Sequence, residues 1–66
     1  MKMFHRSKIK VEIINSLINW DYQVNKASPY NIAKKLEVSE GSVSKILRLL
    51  KDEGLVEQSH GSWHFI

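Results

Sequence analysis

The sequence contains no cysteine, and it has only one proline and three glycines among its 66 residues. Without cysteine the chain can form neither a disulfide bond nor a thiolate zinc site, so neither can stabilise the fold. No apolar run approaches the ~20 residues that a membrane-spanning helix requires. No apolar segment follows the basic N-terminus either, as it would in a signal peptide. We therefore expect a cytoplasmic protein that has no membrane partner.

The residue patterns that enzymes use are also missing. The sequence has no glycine-rich phosphate-binding loop, and its three histidines are scattered without a neighbouring pair of carboxylates. The serines at the centre of the chain, Ser39, Ser42 and Ser44, have no plausible histidine base, so nucleophilic catalysis is not expected. We predict that the protein is not an enzyme and that it uses no metal and no cofactor.

The length predicts one domain, near the lower size limit for independent folding. A domain of this size buries only about 60% of the surface of its unfolded chain. We therefore predict a single domain over residues 1–66 whose stability is modest unless it oligomerises. A hydrophobic content of 42% and a charged content of 26% are ordinary for a folded domain, so disorder is not expected.

The net charge is +3, and it is distributed unevenly along the chain. The first ten residues contain four bases and no acid, and residues 28–50 contain four bases against two acids. Residues 51–66 contain one base and three acids. A concentrated basic region predicts binding to a polyanion. The alternative is a surface that only keeps the protein in solution, which a net charge of +3 does not by itself exclude.

The segment that follows a short N-terminal arm, residues 1–6, has the apolar pattern of a helix. Ser7 is a candidate N-cap, and the helix is predicted from about Lys8 to Trp20. Its apolar residues form two stripes that cover more than half of the circumference, whereas a surface helix needs an apolar arc of only ~100°. We expect the surplus to be covered by the arm, by the C-terminal segment or by a second subunit, with burial inside the monomer as the alternative.

Two further helices are predicted between Ser28 and Gly54. Ser28-Pro29 is typical of a helix start, because serine caps free amides and proline fits the first turn. Ser39 is the next candidate N-cap, and it opens a helix over residues 40–53. Its aliphatic residues form one stripe, which consists of Val43, Ile46, Leu47 and Leu50. Its opposite face carries Gly41, Ser44, Lys45 and Arg48.

After Gly54 the apolar pattern changes to a period of two. Residues 55–58 and 63–66 are short β-prone segments on either side of a turn over residues 59–62, which predicts a β-hairpin. Trp63 and Phe65 are predicted to face the core. No lysine or arginine lies between Val56 and Ile66, so we expect the contribution of the hairpin to polyanion binding to be small or to rest on His60 and Ser62.

The segments IAKKLEVSEGSVSKIL and LLKDEGLVEQ, followed by the terminal hairpin, resemble the winged helix-turn-helix domains of small prokaryotic and viral transcription regulators of the MarR, ArsR and IclR types. The resemblance covers nearly the whole chain. It implies an α+β fold of three helices, with the helix-turn-helix at residues 28–54 and a C-terminal β-hairpin wing at residues 55–66. Glu37 departs from the family, which often has glycine at the turn, but a positive φ at this residue costs only ~1 kcal/mol.

In these families helix 3 enters the major groove of DNA, and the resemblance implies which residues bind here. The residues expected at the groove are Ser39, Gly41, Ser42, Ser44, Lys45 and Arg48, and those expected to face phosphate from helix 2 are Ser28, Tyr30 and Asn31. His60 would lie at the wing tip, and Lys2 and Arg6 of the arm would contact the DNA backbone. Simpler explanations exist for two of these residues. Packing of Tyr30 against the turn agrees with the sequence as well as a phosphate contact does. A histidine at the tip of a loop, such as His60, more often has no function.

We therefore predict sequence-specific binding of double-stranded DNA by a small transcriptional regulator, either a repressor or an autoregulator. A homodimer is expected, with helix 1 as the candidate interface. No small-molecule effector is expected, because no second domain is visible to bind one. The expected location is the cytoplasm, either at the nucleoid or, for a viral protein, in the host.

Two alternative functions remain. The first is a winged-helix protein-interaction module of a transcription or replication assembly, because fold alone does not decide function. The second is binding of Z-form nucleic acid, which a tryptophan near the end of the hairpin suggests. Domains of that type have an asparagine and a tyrosine on helix 3 where this chain has Ser44 and Arg48, and they have prolines in the wing, so this alternative is disfavoured.

Overall fold

The computed structural model describes the backbone of residues 5–66 and the side chains of residues 8–66. The elements in order are α1 (His5–Ile18), α2 (Pro29–Leu36), α3 (Glu40–Asp52), β1 (Val56–Ser59) and β2 (Ser62–Phe65). Three helices followed by an antiparallel hairpin confirm the predicted α+β winged helix-turn-helix. Across the described residues, no helix is both long enough and apolar enough to cross a bilayer.

Helix α1 begins at His5, before the predicted N-cap Ser7. Ser7 therefore lies inside the helix, and the prediction that the arm extends through Arg6 is wrong. The sequence before Ser7 contains neither proline nor glycine, so nothing interrupts the helical backbone there. The predicted DNA contacts of the arm, Lys2 and the side chain of Arg6, lie outside the described residues.

The same helix ends at Ile18 and not at the predicted Trp20. The side-chain amide of Asn19 donates to the carbonyl of Asn15 at 3.0 Å. The indole N–H of Trp20 donates to the carbonyl of Asn25 at 2.9 Å. The first bond satisfies a carbonyl of the last helical turn, and the second ties Trp20 to the segment that follows, so both provide partners for polar groups where the helix ends.

The starts of α2 and α3 confirm the two predicted caps. The hydroxyl of Ser28 accepts from the N–H of Asn31 at 3.2 Å, and the hydroxyl of Ser39 accepts from the N–H of Ser42 at 3.2 Å. Each bond satisfies an amide that has no partner within its helix. The two serines therefore fix where both helices begin.

The ends of α2 and α3 share one backbone arrangement, although different residues occupy it. Glu37 lies in the left-handed region with φ 60°, and Gly54 has φ 80°. In both cases the next N–H reaches back to a carbonyl inside the helix, that of Ala33 at 3.1 Å and that of Leu50 at 3.0 Å. This is the Schellman motif. The positive φ expected at Glu37 is thus confirmed, as is the predicted glycine stop.

The core lies between the three helices and the hairpin. The predicted aliphatic stripe of α3 is fully or almost fully buried. The whole buried apolar cluster consists of Ile13, Leu17, Ala27, Ile32, Ala33, Val43, Ile46, Leu47, Leu50, Val56 and Trp63. The prediction for Phe65 is wrong, since this residue, the last of β2, is 38% exposed. It pairs with Val56 at the open end of the hairpin, where the ladder stops.

The hairpin has a loop of two residues, His60 and Gly61, with φ 54° and 77°. Two consecutive positive φ values are typical of the type I′ turn, which matches the twist of antiparallel strands. The hairpin is also tied to the segment before α2. The N–H of Trp63 donates to the carbonyl of Ala27 at 3.0 Å, and the N–H of Ala27 donates to the hydroxyl of Ser62 at 2.9 Å.

Candidate nucleic-acid interface

A groove of about 360 Å³ lies between the start of α2, the outward face of α3 and the hairpin. Its lining residues are Pro29, Gly41, Ser44, Lys45, Arg48, Gln58 and Trp63. Four of these are residues that the sequence predicted at the DNA groove, so the structure brings Gly41, Ser44, Lys45 and Arg48 together. None of the lining residues is acidic, which makes the groove electropositive.

The cations of α3 are available to a partner. Lys45 and Arg48 are exposed. The one salt bridge within residues 8–66 joins Lys10 to Glu53 at 3.4 Å, so it involves neither of them. An unpaired cation on a surface attracts anions more strongly than one that is already neutralised.

Gly41 leaves the α3 side of this groove without a side chain at one position. A Cβ atom built at this position would meet nothing within 4 Å, so packing inside the protein does not require glycine here. The missing side chain matters at the surface, because another molecule could approach the backbone of α3 closely there.

The bases of α2 are placed differently. The ammonium group of Lys34 lies 5.3 Å from the ring centre of Tyr30, and that of Lys35 lies 5.1 Å from the ring of Trp20. These are cation–π distances. The two lysines therefore pack on aromatic rings, in contrast to the bases of α3.

The three residues predicted to face phosphate from α2 are not part of the groove. The hydroxyl of Ser28 is used in the helix cap. The side-chain amide of Asn31 donates to the carbonyl of Lys26 at 3.0 Å. Tyr30 is 55% exposed, so it is the most accessible of the three. Capping, and bonding to the connector between α1 and α2 (residues 19–28), thus account for the first two side chains without DNA.

The serines at the start of α3 are bonded to one another. The hydroxyls of Ser39 and Ser42 are 2.8 Å apart. Neither residue lines the groove, although both lie within a turn of Gly41. Their polar atoms are therefore fixed in position at the N-terminal end of the helix.

The wing tip lies apart from the groove. His60 is exposed, and its Nδ1 is 2.9 Å from the hydroxyl of Ser59. Lys26, which the sequence interpretation overlooked, reaches this tip from the connector: a Cβ built at Gly61 would lie 3.9 Å from its Nζ. No local sequence pattern links this residue to the hairpin, so only the fold reveals that Lys26 lies beside it. The wing thus has a neighbouring base although its own strands have none.

Trp63 has a double role in the wall of the groove. Its side chain is only 7% exposed, which confirms the predicted core position, yet it also lines the groove. Its backbone carbonyl accepts from the hydroxyl of Tyr22 at 2.9 Å. Burial raises the pKa of Tyr22 above the usual value for tyrosine.

Within residues 8–66, no group of three or more metal-binding side chains lies close enough to hold a metal ion.

Two capped helices joined by a left-handed turn, with a hairpin beside the basic face of the second, define a winged helix-turn-helix protein. The model of the bacterial regulatory protein, arsR family, matches residues 7–58. Because this match covers most of the chain, the protein belongs to the arsR family of bacterial regulatory proteins. Its domain is therefore one of DNA-binding transcription regulation and not a catalytic one. Comparisons with curated proteins and with solved structures gave no significant match.

Proposed function

We propose that the protein binds double-stranded DNA sequence-specifically, with α3 in the major groove, and represses transcription, including that of its own gene. The observation that carries the proposal is the acid-free groove on α3, where exposed Lys45 and Arg48 lie beside small Gly41 and Ser44. An α-helix fits the major groove of B-DNA, where base edges present a distinct pattern for each base pair.

The residues of α3 divide into those that read bases and those that bind the backbone. Arg48 is the candidate for base reading, because guanidinium groups donate two hydrogen bonds to guanine in the major groove. Lys45 serves as a phosphate contact, as a point charge on a flexible stem. Ser44 contributes a hydroxyl that can donate or accept. Ser39 and Ser42 contact the backbone beside the N-terminus of α3.

Contacts outside α3 position the protein without reading sequence. The hydroxyl of Tyr30 on α2 donates to a phosphate. Ser28 caps α2 and holds the start of that helix beside the same DNA strand. At the wing tip, His60 and Lys26 approach the backbone further along the duplex. Lys2 and Arg6 add electrostatic attraction. Phosphate contacts of this kind fix register and orientation.

A second copy of the chain covers α1. Val11 is 56% exposed and Ile18 is 62% exposed, and both lie on the stripe that also contains half-buried Ile14. The monomer therefore leaves the surplus apolar arc of α1 largely in water, where an isologous contact between two α1 helices would bury it. The resulting homodimer acts in the cytoplasm, at the nucleoid.

The decisive experiment is selection of bound sequences from random duplex DNA at two salt concentrations. We expect a defined palindromic motif, because a two-fold dimer presents two α3 helices to two half-sites. The logarithm of the binding constant should fall by about 0.9 per logarithm of salt for each phosphate neutralised. Absence of duplex binding even at low salt would end the proposal and favour a protein-interaction module instead.

A further inference from the structure

The indole N–H of Trp63 is buried and has no hydrogen-bond partner among the described residues. Buried hydrogen-bond donors nearly always have a partner. A donor without one loses its hydrogen bonds to water on folding and gains none inside the protein. The chain's other tryptophan follows that rule, since the indole N–H of Trp20 donates to the carbonyl of Asn25 at 2.9 Å. The unpaired donor of Trp63 therefore calls for an explanation.

The surroundings of Trp63 are those of an anion site. It lines the groove that also contains Lys45, Arg48, Gln58 and Ser44, so every polar side chain there can donate a hydrogen bond. Two of them carry positive charge, and none is acidic. A phosphodiester group has one negative charge and oxygens that only accept, which complements this set.

We propose that this groove holds one phosphate of the DNA backbone, and that the indole N–H of Trp63 donates to one of its oxygens. The inference rests on the proposed function and names a specific contact within it. Lys45, Arg48 and Gln58 are exposed, so their long side chains can move aside when the phosphate enters. The hairpin thereby binds DNA through a neutral donor from its own strand, although that strand has no lysine or arginine.

The contact also has a consequence for specificity. The main chain of Trp63 donates to the carbonyl of Ala27 and accepts from the hydroxyl of Tyr22, and its side chain is only 7% exposed, so packing restrains its ring. A phosphate bound by a fixed donor sets the depth and register of α3 in the major groove. The tryptophan is thus a positioning residue for the groove contacts of α3.

The first test observes the two indole N–H resonances of the ¹⁵N-labelled protein during titration with its selected duplex. Trp20→Phe assigns the two signals. We expect the Trp63 signal to move downfield and exchange more slowly with water, while the Trp20 signal stays in place. Duplex binding that leaves the Trp63 signal unmoved would overturn the inference but not the proposed function. Failure of the wild type to bind any duplex would remove both.

A parallel titration with inorganic phosphate at matched ionic strength separates the sources of the anion. We expect the duplex to move the Trp63 signal at micromolar concentration and inorganic phosphate to have little effect there. A signal that responds to inorganic phosphate and not to the duplex would mean a site for free anions, against the proposal.

The second test replaces Trp63 by phenylalanine, which keeps an aromatic ring and removes the donor. We expect about tenfold weaker binding to the duplex, since a hydrogen bond to a charged acceptor is lost. The salt dependence should not change, because no charge is removed. The control is Trp20→Phe, which should bind within about twofold of the wild type. Equal affinity of a folded Trp63→Phe protein and the wild type would contradict the proposal, and if that variant does not fold, the resonance titration decides.

Discussion

Helices α1 and α3 both present an exposed face, and the two faces have opposite chemistry. On α1 the exposed residues include Val11 and Ile18, whereas on α3 they include Ser44, Lys45 and Arg48. An apolar face gains free energy only by leaving water, and a basic face gains it by meeting an anion. One small fold therefore carries an apolar face and a basic face on separate helices, which suit the proposed dimer contact and the proposed DNA contact respectively.

The largest effect is expected from placing charge on the apolar face. Val11→Glu with Ile18→Glu should weaken the proposed dimer more than about 100-fold, because burial of each such side chain contributes about 1.5–3 kcal/mol and a two-fold interface contains each one twice. Sedimentation equilibrium measures the change. The matched control is Val24→Glu, which alters a residue that is 75% exposed in the connector and should leave the dimer intact.

This first variant also tests whether the faces are separate. Binding to a single half-site should be almost unchanged, whereas binding to the full palindrome should lose its cooperativity. A wild type that sediments as a monomer at high micromolar concentration would remove the dimer from the comparison altogether.

The next effect concerns the basic face. Arg48→Ala should weaken binding of the selected duplex by about 1–3 kcal/mol, or roughly 5- to 150-fold, and relax specificity at one base position. Lys51→Ala is the matched control, because Lys51 is an exposed base on the same helix that does not line the groove. Fluorescence anisotropy of labelled duplexes measures both. Equal losses in the two variants would mean that α3 is not oriented as proposed.

A smaller effect is expected from the turn that holds α3 against α2. Glu37→Gly should raise the free energy of unfolding by up to about 1 kcal/mol, because glycine adopts the positive φ without steric cost. Gly54→Ala, at the equivalent position of α3, should lower it by about the same amount. Urea unfolding followed by circular dichroism measures both. Changes of the same sign would show that the two helix ends are not equivalent.

The smallest effect is a pH dependence that originates at Tyr22, which follows α1 and bonds to the carbonyl of Trp63. Because burial raises its pKa in the folded protein, the unfolded chain loses this proton first as the pH rises. Its contribution to stability is therefore fully present below about pH 10, the usual tyrosine value, and is lost as the pH rises towards the folded pKa. Tyr22→Phe should show a shallower decline in melting temperature above that pH than the wild type. Below that pH the melting temperatures of the two proteins should run parallel, and an equally steep decline in both above it would contradict the prediction.

The helix-turn-helix could be predicted because its signals are local. Ser28 and Ser39 each cap the helix that follows within a few residues, and the stripe of α3 has the helical period. The start of α1 could not be predicted in the same way. Ser7 is a residue type that often caps helices, but the residues just before it can also be helical. Because no proline or glycine stops the helix there, the serine alone did not mark its start.

The candidate interface was only partly predictable, because it depends on contacts between distant segments. The period of α3 placed Lys45 and Arg48 on one face. That Gln58 and Trp63 complete the groove depends on how the hairpin packs against that helix, which no local pattern encodes. Asn31 was likewise predicted from its position at a helix start, and the local pattern did not indicate that its side-chain amide donates to the carbonyl of Lys26.

Gly41 has a consequence for how proteins of this kind change over time. Glycine inside a helix is less favourable than alanine by about 1 kcal/mol, and at this position a side chain would meet no atom of the protein. Substitution here should therefore leave the fold intact or strengthen the helix. If α3 binds as proposed, the same substitution changes the surface that meets DNA. Position 41 can thus vary in sequence without the loss of stability that most substitutions cause.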